Sequence, residues 1–155
     1  MVNMIIRIIA AASLSLSLAA VPSIAAAQSQ PNRNQARIAE IHIALLDRLP
    51  TSDEDQHYLA LLNQGLGITA LADLIKEGPD ARALYPSLVT RMNLNHFVSA
   101  VYVHIHGRAP DSGVEYFWTE LLETQRVTEG EFIIQLIDAT SPAERKILND
   151  RMGKK

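Results

Sequence analysis

The chain has 155 residues, no cysteine, 48% hydrophobic and 20% charged residues, and a formal net charge of −3. That is enough chain for one domain with a real core, or two small halves sharing one, and stability has to come from packing without disulfides. A mildly acidic balance argues against nucleic acid as a partner, because such binding rests on neutralising phosphates.

The first stretch reads as a targeting segment. Arg7 precedes an apolar run from Ile8 to Val21, Pro22 interrupts it, and Ala25, Ala26 and Ala27 supply small residues for cleavage. The run is shorter than the ~20 residues of a membrane span. A signal peptide is therefore expected over 1–27, with removal after Ala27 taking away Arg7 and no acid. No membrane span is then expected, and a periplasmic or secreted location follows. The polar segment 28–35, QSQPNRNQ, reads as a flexible leader.

Beyond it the apolar residues recur at helical spacing, as in Ile38, Ile41, Leu45 and Leu49. Helices are expected over 35–48, 52–64, 68–77, 79–85, 94–107, 112–124, 128–139 and 141–152, with little or no sheet. Pro50 and Pro110 stop the helices before them, because each ring disfavours the α region at the preceding residue. Ser52 with Asp55 and Ser112 with Glu115 have capping-box spacing, as do Thr128 with Glu131 and Ser141 with Glu144. Pro142 stands where a first-turn proline belongs.

The chain also repeats itself. IAEIHIALLDRLPTSDEDQHYLALL, from Ile38, lies over VSAVYVHIHGRAPDSGVEYFWTELL, from Val98, at a constant offset of 60. Arg48 falls on Arg108, Pro50 on Pro110 and Tyr58 on Trp118. The expected fold is an all-α helical bundle of two similar helix-turn-helix units, about 36–92 and 93–155, sharing one core.

Four groups of residues invite a functional reading. His104 and His106 would share a face on a strand, but on a helix they stand ~200° apart, which disfavours joint metal binding. Asp53, Glu54 and Asp55 beside His57 lie in a helix first turn, where acids suit the dipole. Arg48 and Arg108 recur before the same proline. Each is expected to act as a structural clamp, donating its planar fork to helix-end carbonyls or a carboxylate of the next turn. Asp111 is the expected partner of Arg108, where the first unit has Thr51. Tyr116, Phe117 and Trp118 form an aromatic cluster: Trp118 and Tyr58 are expected in the core, and one of Tyr116 and Phe117 faces outward. No cysteine nucleophile, nucleophile elbow, P-loop, dinucleotide-binding glycine run or zinc-protease helix is present, so no enzyme and no cofactor is expected.

The stretch FVSAVYVHIHGRAPDSGVEYFWTELL resembles the repeats of bacterial domain of unknown function 4214. Phe97, Val98, Tyr102, Gly107, Arg108, Pro110, Asp111, Gly113 and Trp118 carry the likeness, and Arg48, Pro50 and Tyr58 carry it in the first unit. Departures are Asp47 in place of a glycine, Gly113 one residue early and Phe117 in place of a tyrosine. The resemblance implies an all-α fold, an exported or surface-associated protein and a likeness to the linker domains of cyanobacterial phycobilisomes. It implies scaffolding through a protein partner or self-association, and it brings no catalytic residue. The rival reading is a periplasmic small-molecule or metal-binding protein using His104 and His106.

Overall fold

The computed structural model describes residues 24–153, with side chains from residue 33 onward. The apolar run expected as the core of a signal peptide lies outside the described residues. Among those residues there are eight helices and no strand: α1 (Ile24–Leu46), α2 (Ser52–Asn63), α3 (Ile68–Lys76), α4 (Pro79–Leu84), α5 (Arg91–His106), α6 (Ser112–Glu123), α7 (Glu129–Asp138) and α8 (Pro142–Gly153). The fold is all-α.

α1 and α5 cross at the centre. Ile38, Ile41 and Leu45 of α1 meet Phe97, Val98, Val101 and Ile105 of α5, all fully buried. Phe132, Ile133 and Ile137 of α7 and Leu71 and Ala72 of α3 complete the core. Each large side chain there stabilises the fold by about 1.5–3 kcal/mol relative to exposure. α1 packs on α2, α3, α4, α7 and α8 as well as on α5, α5 packs on α6, α7 and α8, and α3 packs on α7.

The α3–α7 contact is the most extensive between helices of the fold, and its chemistry explains why. Asp73 of α3 accepts from the Gly130 backbone N–H at 2.7 Å and from the Thr128 hydroxyl at 3.3 Å, both at the start of α7. A Cβ at Gly130 would lie 2.5 Å from the Thr69 carbonyl oxygen. Only glycine lets the two backbones approach this far.

Turn chemistry recurs at the offset of 60. Asp47 and Gly107 both take left-handed backbone, at φ 52° and 70°, and so do Gly65 and Gln125, at 99° and 53°. The helix ends close with matching bonds: Leu66 N–H to Leu61 C=O at 3.0 Å, and Arg126 N–H to Leu121 C=O at 2.9 Å. These are the long-reaching bonds of a Schellman ending.

Two local expectations are corrected. The leader expected over 28–35 lies within α1, which starts at Ile24 and runs through Pro31. Once the buried half of α1 is helical, adding upstream residues is far easier than nucleating a new turn. The caps of α2 and α6 are Thr51 and Asp111, one residue before the expected Ser52 and Ser112. The residue after each proline is the one held extended, so its side chain reaches the free N–H groups. Thr51 forms a capping box with Glu54, and Asp111 accepts from Val114 N–H at 2.9 Å. Glu115 instead accepts from the Ser99 hydroxyl at 2.6 Å, tying α6 to α5. The capping pairs Thr128–Glu131 and Ser141–Glu144 form as expected.

Candidate functional site

The turn before each proline holds an arginine, and the two turns differ in how it is used. Arg48 lays its fork on Glu54, with two N–H···O bonds of 2.8 Å, and reaches Asp80 at the start of α4 at 2.6 Å. It also donates to the Leu49 carbonyl at 3.0 Å. The same Glu54 accepts from Thr51 N–H at 2.7 Å. The guanidinium of Arg48, with help from Thr51, holds the Glu54 carboxyl far below the usual range, at about 2, against the opposing effect of burial. Arg48 and Glu54 therefore clamp α1, α2 and α4 together.

Arg108 behaves otherwise. Its side chain is 57% exposed, it reaches Glu144 at 3.3 Å, and its guanidinium lies 5.3 Å from the centre of the Tyr102 ring. Asp111, the expected partner, is occupied in capping α6. Both arginines thus reach a first-turn acid of the fourth helix in their half, Asp80 in α4 and Glu144 in α8. Pro50 and Pro110 are partly buried in the two turns.

The histidines do not form a shared site. His104 donates from Nδ1 to the Ala44 carbonyl of α1 at 2.9 Å, an inter-helix bond. His106 is buried, packs tilted against Tyr102 with ring centres 4.2 Å apart, and places Nδ1 3.3 Å from Glu144. Among the described residues no group of three or more His, Asp or Glu side chains is arranged to hold a metal ion.

A further histidine carries no functional signal in the sequence. His42 of α1 is fully buried, donates from Nδ1 to Ile38 C=O at 3.0 Å, and leaves Nε2 without a hydrogen bond, 3.9 Å from Glu54. Burial pushes its pKa below the usual imidazole value, and the Ile38 carbonyl and Glu54 offset this only in part. Its only signal in the sequence is its place between Ile41 and Ile43 on an apolar stretch.

The aromatic cluster splits. Tyr58 and Trp118 both pack partly buried against the core, Trp118 with its ring centre 5.1 Å from that of Phe132. Tyr116 and Phe117 both face solvent, 61% and 54% exposed, where one outward-facing ring was expected. Arg91 lies over the Tyr116 ring at 4.9 Å and pairs with Glu123. Glu123 borders a cleft of about 570 Å³ whose apolar wall comes from Leu88, Val89, Leu94, Leu122 and Val127. Tyr116 and the acid at the edge of this cleft are thus joined through one arginine. At the offset of 60, α2 carries Gln56 and His57, also exposed. The helix itself does not need aromatic side chains there.

Among the described residues no helix is long and apolar enough to cross a membrane. No family model matches the chain, and no curated protein or solved structure is significantly similar to it.

Proposed function

We propose that this chain is an exported, non-enzymatic interaction domain that binds a protein partner through the outer face of α6 and the adjoining cleft. The observation that carries the reading is the contrast between Tyr116 and Phe117 on α6 and Gln56 and His57 at the matching positions of α2. Exposed large aromatics have a cost in solubility, and aromatic side chains are enriched where proteins meet partners. An arginine stacked on one of them adds a second residue type favoured at such centres.

Two further lines support it. The apolar run after Arg7 and the small residues at 25–27 follow in the order that a secretion signal requires. The resemblance of residues 97–122 to the 4214 domain brings with it a surface-associated, scaffolding role. Neither line points to a reaction, a cofactor or a bound metal.

The test exchanges the face and keeps the fold. In Tyr116→Gln/Phe117→His, α6 receives the residues that α2 carries. Circular dichroism and melting should stay close to wild type, because both side chains are mostly outside the core. Retention of partner from envelope extract, quantified against wild type, should fall at least about tenfold, as expected when an interface centre worth about 1.4 kcal/mol or more is removed. Retention equal to wild type by a well-folded variant contradicts the reading.

A further inference from the structure

We propose that the turn before α6 is a seat for a carboxylate of the partner, built on the Arg108 fork and the Asp111 N–H. The pattern comes from the first half. There Arg48 gives Nη2 to both Asp80 and Glu54, and Nη1 to Glu54 and the Leu49 carbonyl. The Glu54 carboxylate also accepts from the Thr51 N–H at 2.7 Å. One arginine of such a turn therefore holds two acids, one across its fork and one at its edge.

The second half keeps three of these four parts. At the offset of 60 Arg108 stands for Arg48 and Asp111 for Thr51, and Glu144 does what Asp80 does, taking Nη2 alone at 3.3 Å. The fourth part is missing, because Val114 stands in the place of Glu54. Among the described residues no acid spans the fork of Arg108, and nothing accepts from the Asp111 N–H. The Arg108 side chain is 57% exposed against 34% for Arg48, and Ser112 and Gly113 beside it face solvent. An acid from outside the domain has a clear approach.

Two acids already stand near this seat, Glu144 and the capping Asp111, where the first turn has Asp80 and the uncharged Thr51. A free carboxylate is therefore held weakly, as at any exposed ion pair. An acid carried by a partner is in a different position. Tyr116 lies one turn along α6 from Ser112, so a partner resting on the α6 face brings its own acid to Arg108 at high effective concentration. The seat thus rests on the α6 reading and adds the partner's chemistry to it: a carboxylate set beside an apolar contact.

The test fills the seat from within the full chain by Val114→Glu, beside Val114→Gln as its uncharged twin. By NMR the new carboxyl should titrate at least about half a unit below the usual ~4.3, shifting the Asp111 N–H as it ionises. Adding Arg108→Gln should return its titration to the usual range. Retention of partner from envelope extract should fall about two- to fivefold in Val114→Glu relative to Val114→Gln, the range of one exposed ion pair. An ordinary titration, or equal retention by the two folded variants, overturns the proposal and leaves the α6 reading standing. A wild type that retains no partner sinks both. If Val114→Glu fails to fold, Arg108→Gln decides: its retention should fall by a similar factor, and retention equal to wild type overturns the proposal.

Discussion

Replacing Arg48 by alanine removes the most heavily used side chain in the fold's turns. Its fork makes two bonds to Glu54, one to Asp80 and one to the Leu49 carbonyl, and its side chain is only 34% exposed. Charged hydrogen bonds contribute about 1.5–3 kcal/mol each when shielded, and little when open to water. With Asp80 well exposed and Glu54 partly shielded, the net loss in Arg48→Ala should be about 1–2 kcal/mol. For a domain of this size that lowers Tm by about 4–10 °C. Arg108→Ala should lose less than about 1 kcal/mol, because its one ion pair is mostly solvated. Arg48→Lys should recover only part, since an ammonium cannot reproduce the fork. Glu54, held at about 2, contributes stability that is complete above its unfolded value near 4.5 and lost as pH falls toward 2. The gap between wild type and Arg48→Ala should therefore close over that range. Thermal unfolding at several pH values reads all four effects. Equal melting of Arg48→Ala and wild type at neutral pH, or a larger loss in Arg108→Ala, refutes the reasoning.

Three further outcomes follow from the geometry. Gly130→Ala forces α3 and α7 apart and should cost about 1–3 kcal/mol in urea unfolding, whereas Gly67→Ala, with open space at its Cβ, should change little. Gln125→Gly relieves a left-handed backbone and should raise Tm slightly, a gain of about 0.5–1 kcal/mol. His42, lowered by burial, should make the domain less stable as pH falls below ~6.5; in denaturant titrations His42→Leu should remove part of that acid loss.

Much of the architecture was legible because helices here are announced locally. Each start from α2 onward has a hydroxyl, acid or glycine cap, and the Arg-x-Pro turns stop α1 and α5 within a few residues of where the sequence places their ends. The cap register was ambiguous, because Thr51–Glu54 and Ser52–Asp55 have the same spacing; the extended backbone after Pro50 decides between them. The site was less legible, because its partners are far apart in the chain. Nothing near Arg108 points to Glu144, and nothing near Glu40 points to Arg145. The burial of His42 was hidden because a polar residue within an apolar stretch reads the same whether it faces a neighbour helix or solvent. Gly130 looked like an ordinary first-turn residue until α3 was placed against it.

The central claim is that α6, and not its counterpart α2, is the partner-facing helix. A photo-crosslinking residue at position 117, and separately at position 57, in the full chain expressed in its own cells tests it directly. Crosslinking from 117 should yield a discrete adduct with a partner or a second copy, and position 57 should yield none. The same adduct from both positions, or from 57 alone, would contradict the account.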